Sequence, residues 1–180
     1  MKHTISVLLE DKPGALARIA TMFARRGFNI DSLAVGPTEE PGLSRMTVVV
    51  SVQRKPLEQV TKQLNKLINV IKVLELEDGE AVERELVLVK VRAEGDQRSR
   101  AIEIAQIFRA RVVDVTHSTL TIEATGTPDK VEALRELLDG FGIVELVRTG
   151  RIALGRGEKG IRQNGRAPLI RLPGRAAAIE

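Results

Sequence analysis

The feature that most restricts this chain is a sequence of strand and helix signals in the order β-α-β-β-α-β, met twice over. Thr4 to Leu9 is a short β-type run that Lys12-Pro13-Gly14 interrupts. Leu16, Ile19, Ala20 and Phe23 then recur at spacings of three and four, with Arg18, Arg25 and Arg26 on the other side. This is the period of an amphipathic helix, and Gly27 is placed to close it. Phe28 to Val35 reads as a strand, Gly36 to Gly42 as a turn, and Met46 to Val52 as the strongest strand in the chain. A helix near Pro56 carries Leu57, Val60, Leu64, Leu67 and Ile68 on one face, and Val70 to Leu76 returns to a strand.

The order then restarts. Glu85 to Arg92 is a strand, and Arg98 to Arg109 a helix with Ile102, Ala105 and Phe108 on one face. Arg111 to Val115 and Ser118 to Ala124 form a strand pair around Thr116-His117. Thr127-Pro128-Asp129 opens a last helix with Val131, Leu134, Leu137 and Leu138 inward, and Ile143 to Val147 is the closing strand. The reading is an α+β protein of two tandem ferredoxin-like βαββαβ domains: residues 1–76, a connector at 77–83, residues 84–161, and a mobile tail at 162–180. Each four-stranded antiparallel sheet has both helices on one face, so its bare face or its edge must be wetted or covered by a partner.

Composition removes most catalytic classes. The 180 residues contain no cysteine, so disulfides, thiolate metal sites and cysteine nucleophiles are excluded, as suits a reducing cytoplasm. His3 and His117 are the only histidines, and neither has neighbours that suggest a triad or a metal centre. No phosphate-binding glycine loop is present. Apolar runs are too short to span a bilayer, and the first residues do not resemble a signal peptide. The net charge of +4 is local: residues 151–180 hold seven Arg/Lys and two Glu, leaving 21 basic and 22 acidic residues before them. That basic tail has no aromatic residue for base stacking, so a solvated terminus is preferred to a nucleic-acid site. Binding is favoured over catalysis.

One place suits a ligand. Glu10-Asp11-Lys12-Pro13-Gly14-Ala15-Leu16 joins the first strand to the first helix. Free N–H groups of Gly14, Ala15 and Leu16 at a helix start attract an anion, and a glycine there lets a carboxylate approach the backbone. Asp11 would accept the ammonium of an amino acid, so both ends of a zwitterion would find a partner. The alternative is that Asp11 only caps the helix and Gly14 only serves packing. Both readings stand on spacing alone.

The ordered runs Ser6 to Leu16, Arg26 to Leu33, Leu43 to Thr47, Val82 to Leu86, Ile107 to Ala110, Val113 to Val115, Thr125 to Thr127 and Gly155 to Lys159 resemble the ACT-domain small subunit of acetolactate (acetohydroxyacid) synthase. A Pro-Gly after a strand is weak alone; the ordered set across both halves is specific.

The resemblance implies a regulatory subunit without an active site. Such a subunit activates the catalytic (large) subunit, whose cofactors are thiamine diphosphate, Mg and FAD, and none of these is expected in this chain. It confers feedback inhibition by valine, or by leucine or isoleucine, in branched-chain amino-acid biosynthesis. It also implies a homodimer paired through ACT domains, with effector sites between protomers. The effector-binding residues would be Asp11, Lys12, Pro13, Gly14, Ala15 and Leu16 of one chain with Asn29, Ile30 and Asp31 of the other, and Ala34, Val35 and Gly36 nearby. Family members often carry Asn where this chain has Asp11, whose charge favours an ammonium and opposes a carboxylate beside it. No nucleic acid, membrane or metal is implied. The rival within the same fold is an ACT-type amino-acid sensor regulating another enzyme.

Overall fold

Alternation of apolar residues decides where the strands bury their side chains, and it does so early in the chain. The computed structural model describes residues 2–77, 79–158 and 160–161, and only the backbone of residues 54 and 55. The first unit runs β1 (Lys2–Glu10), α1 (Ala15–Arg25), β2 (Ile30–Pro37), β3 (Leu43–Ser51), α2 (Arg54–Leu64) and β4 (Val70–Leu76). Its sheet has the order β2-β3-β1-β4 and is antiparallel at every pairing. Ile5, Val7 and Leu9 of β1 and Met46, Val48 and Val50 of β3 form one core with Ala15, Ile19 and Phe23 of α1 and Leu57, Val60 and Leu64 of α2. The inward stripe of α1 is thus set at every fourth residue, and Leu16 and Ala20, expected on it, are exposed, Leu16 at 41%. Leu67 and Ile68, expected on the second helix, lie beyond its end; Leu67 packs against the core and Ile68 is 83% exposed.

The helix ends follow from local chemistry. Gly27 adopts φ +67°, and the N–H groups of Gly27 and Phe28 reach back to the carbonyls of Ala24 and Phe23, closing α1 where the sequence placed its stop.

The second unit runs β5 (Ala81–Arg92), α3 (Asp96–Ile107), β6 (Arg111–Val115), β7 (Thr119–Gly126), α4 (Pro128–Asp139), β8 (Ile143–Arg148) and β9 (Ile152–Gly155). The strand order β6-β7-β5-β8 repeats that of the first unit. Val87, Val89 and Val91 pack on Ala101, Ala105, Val131, Leu134 and Leu138. Leu137, expected inward, is 52% exposed, because the α4 face is set by Val131, Leu134 and Leu138. Thr127 caps α4 by accepting the Lys130 N–H, with Pro128 as the first helical residue.

Two features depart from the expected order. Residues 81–83, expected in the connector, belong to β5, and β9 is a strand the periodicity did not reveal. The two pair with each other, Ala81 opposite Gly155 and Arg84 opposite Ile152. This ribbon lies between the units, where Ala81 and Ala153 form a small core with Leu74 and Leu76 of β4. It covers part of the helix-free face of the first sheet, where the Thr4 hydroxyl donates to Glu83 of β5. Residues 162–180, expected to be a mobile tail, lie outside the described residues.

Candidate functional site

The junction between β1 and α1 is built by hydrogen bonds that leave its tip open. The Asp11 N–H donates to the Gly42 carbonyl (2.8 Å), and the Glu10 N–H to the Asn69 carbonyl (2.9 Å), so the chain leaves the sheet in a fixed direction. Helix α1 begins at Ala15 with Gly14 as its cap, at φ +81° and without any side-chain cap. The capping role considered for Asp11 is therefore not the one it plays. Gly14 is needed for its left-handed backbone, and a Cβ there would meet nothing within 4 Å. Ala15 is buried in the core, and its N–H donates to the Lys12 carbonyl (3.2 Å). The N–H groups of Gly14 and Leu16 have no acceptor among the described residues. Asp11, Lys12, Pro13 and Gly14 are exposed.

Beside this tip stands a network that sequence reasoning missed. Lys12 Nζ donates to Glu10 Oε1 (3.0 Å), Asn69 Nδ2 to Glu10 Oε2 (2.9 Å), and Arg18 to Asn69 Oδ1 (2.9 Å). The hydrogen bond from Lys12, and then that from Asn69, hold the Glu10 carboxyl below its ordinary range, against the opposing effect of burial. Asn69 is 59 residues from Glu10, and no local spacing could signal the pair.

The second group lies on β2, an outer strand bonded on one side only. The register shifts between Ile30 and Ser32, leaving Asp31 as a bulged residue. Its carboxylate accepts from Asn29 Nδ2 (2.9 Å) and from the Ser51 hydroxyl. Asn29 and Asp31 are exposed, whereas Ile30 packs against the core and offers a ligand its main chain only.

The register shows that the two groups do not meet within one chain. Ile30 lies opposite Val50, which lies opposite His3 at the start of β1; Pro37 lies opposite Ser44, which lies opposite Leu9 near its end. Strand β2 thus runs parallel to β1, with Asn29 at one end of the sheet and Asp11 at the other. Seven residues of strand from His3 to Glu10 at about 3.3 Å each separate them by about 23 Å. Ala34, Val35 and Gly36 belong to the Asp11 end.

Elsewhere, His3 pairs with Glu75 (3.1 Å), and the His117 carbonyl in the β6–β7 turn accepts from Arg98. Among the described residues no three His, Asp or Glu side chains gather to hold a metal, and no helix is long and apolar enough to cross a membrane.

Comparison with known proteins gives a consistent result. Residues 5–72 match the family model for the AHAS small subunit-like ACT domain, and residues 84–157 that for the small subunit of acetolactate synthase. The chain is 59% identical over 159 residues to the acetolactate synthase small subunit of Mycolicibacterium smegmatis, covering 88% of this chain and 94% of that one. It is 55% identical over 159 residues to the probable acetolactate synthase small subunit of Archaeoglobus fulgidus, covering 88% and 99%. The crystal structure of the acetolactate synthase small subunit from Thermotoga maritima superposes with a TM-score of 0.81 at 40% identity, covering 88% of this chain and 99% of that one.

Proposed function

This chain belongs to the family of acetolactate synthase small subunits, and we propose that it activates the thiamine diphosphate-dependent catalytic subunit and makes it sensitive to valine, or to leucine or isoleucine. The chain supplies no catalytic group; thiamine diphosphate, Mg and FAD belong to its partner. It acts in the cytoplasm as a dimer paired through its ACT domains.

One observation carries the effector site. Asn29 and Asp11 lie at opposite ends of one sheet, and β2 is its free edge. If two copies pair antiparallel along β2, each Asn29 end is brought to the partner's Asp11 end, so both halves of the pocket form twice across the interface. In each, the N–H groups of Gly14 and Leu16 receive the effector carboxylate, and Asp11 lies beside its ammonium. Asn29 and the Ile30 main chain approach from the other copy. Asn29 is held by Asp31 in the single chain, so ligand binding exchanges one hydrogen bond for another.

Inhibition follows if the dimer has two arrangements, of which valine binds the inactive one more tightly. Docking of the catalytic subunit then weakens valine binding by the same factor.

Thermal unfolding against all the amino acids tests the reading. A ligand at a hundred times its dissociation constant adds about 2.7 kcal/mol, which moves the midpoint by several degrees in a chain of this size. Valine, leucine or isoleucine should give the shift, and reconstitution should then make the catalytic subunit faster and valine-sensitive. A shift with a different amino acid instead would overturn the assignment.

A further inference from the structure

The two units are joined by more than the chain between them. Three consecutive residues, Thr149, Gly150 and Arg151, bridge the outer strand of the first sheet to the central strand of the second. The Thr149 N–H donates to the Leu86 carbonyl (3.1 Å), and its Oγ1 accepts from the Leu86 N–H (3.1 Å), fixing one end of the turn to β5. At the other end the Arg151 N–H donates to Ser32 Oγ on β2 (2.8 Å). The Arg151 guanidinium donates to Thr4 Oγ1 on β1 (3.1 Å) and pairs with Glu83 on β5 (3.1 Å), and the Thr4 hydroxyl donates to Glu83 (3.0 Å). Between them, Gly150 adopts φ +82°, and its backbone lies so close to β2 that a Cβ would stand 2.9 Å from the Leu33 carbonyl oxygen.

We propose that Arg151 is a positioning residue that couples the effector strand to the second domain, because its turn grips β2 at Ser32, next to Asp31, and grips β5 at Glu83. The inference rests on the reading that the effector binds at Asn29 to Asp31. The joint has no slack. Gly150 leaves no room for a Cβ against Leu33, and the Arg151–Glu83 pair is largely shielded, with side chains 17% and 22% exposed, so water cannot readily replace either partner. A shift of β2 on ligand binding must therefore carry the turn with it or break the bond from Arg151 to Ser32. Because β9 starts at Ile152, the residue after Arg151, a moving turn displaces the β5–β9 ribbon. Strand β2 is otherwise bonded only to β3 within its own sheet, so this turn is its direct route into the second unit.

Hydrogen–deuterium exchange on the full chain with and without valine tests the coupling. In the wild type, valine should alter exchange in β2 and also in residues 81–84 and 152–155. Ser32→Ala, which removes the acceptor of the Arg151 main-chain N–H and leaves the core untouched, should retain the β2 response while the ribbon response falls at least twofold; Arg151→Met, which keeps that main-chain bond and removes the grip on Glu83, should lower the response of residues 81–84. If the ribbon responds to valine as strongly in Ser32→Ala as in the wild type, the joint is static and the proposal is overturned. The same holds if wild-type protein binds valine and only β2 responds. If calorimetry detects no valine binding to the wild type, the effector reading itself fails, and the coupling with it.

Discussion

At the proposed effector pocket, Gly14 allows electrostatics to be separated from backbone strain. Its φ of +81° is unfavourable for any residue with a Cβ, yet a Cβ there would meet nothing within 4 Å. Gly14→Ala should thus cost only the left-handed penalty, about 1–2 kcal/mol, lowering the midpoint by about 2–8 °C with no clash to add. Gly14→Asp should be no less stable than Gly14→Ala, because aspartate tolerates this conformation better and its charge suits a helix N-terminus. Effector affinity should rank the other way. Two carboxylates about 4 Å apart at an effective dielectric of about 20 repel by about 4 kcal/mol, on the order of a thousandfold in dissociation constant. Urea unfolding gives the first ranking and calorimetric titration with valine the second. Equal loss of valine binding in both variants would mean that strain, not charge, disables the pocket; wild-type binding by Gly14→Asp would remove the pocket from Gly14 altogether.

Acid should destabilise the fold through two carboxylates. Glu10 is held below its ordinary value by hydrogen bonds from Lys12 and Asn69, and Glu132 by those from Arg148 and then Arg135. A depressed folded-state value means stabilisation that is present above the unfolded carboxylate range and lost as pH falls through the folded one. Urea midpoints measured downward from pH 7 should drop, and Glu10→Gln or Glu132→Gln should flatten that drop. Phe23→Ala, at a side chain 1% exposed in the first core, should cost about 3–5 kcal/mol in chemical unfolding. Thr127→Ala should cost about 1 kcal/mol by the same measurement, through loss of the α4 cap.

What was legible in the sequence was what depends on neighbours in the chain. The period of Ile19 and Phe23, the stop at Gly27 and the cap at Thr127 are local devices, and each stands in the structure where its spacing placed it. The errors at Leu16 and Leu137 share one cause: an apolar residue one position off the buried stripe has the right period but the wrong azimuth, and only the partner surface decides between them; Ile68 fails differently, because α2 ends at Leu64 before reaching it. The β5–β9 ribbon was hidden because residues 81–83 and 152–155 are short, and each forms a strand only with the other to pair with. The same limit applies at the site. Asp11, Gly14 and Leu16 share one junction and were found together, whereas the clamp of Glu10 by Asn69 and the grip of Arg151 on Ser32 join positions 59 and 119 residues apart.

A pocket divided between two copies has a consequence that a pocket within one chain lacks: its ligand must hold the copies together. Asn29 and Asp11 lie about 23 Å apart along one sheet, so under the proposed two-copy site a lone chain would offer the effector only half of its contacts. Each fully formed site adds about 2.7 kcal/mol at a hundredfold its dissociation constant, and a two-fold dimer contains two such sites. Valine at that level should therefore lower the dimer dissociation constant about ten-thousandfold, with the dependence on free valine approaching second power. Sedimentation across a dilution series, with and without valine, measures this directly. By linkage, apparent valine affinity should also fall as the protein is diluted below its dimer dissociation constant. If valine bound equally well at every dilution and left the dimer equilibrium unmoved, the effector would be held within a single chain. The Gly14 junction and the Asn29 strand would then not belong to one site.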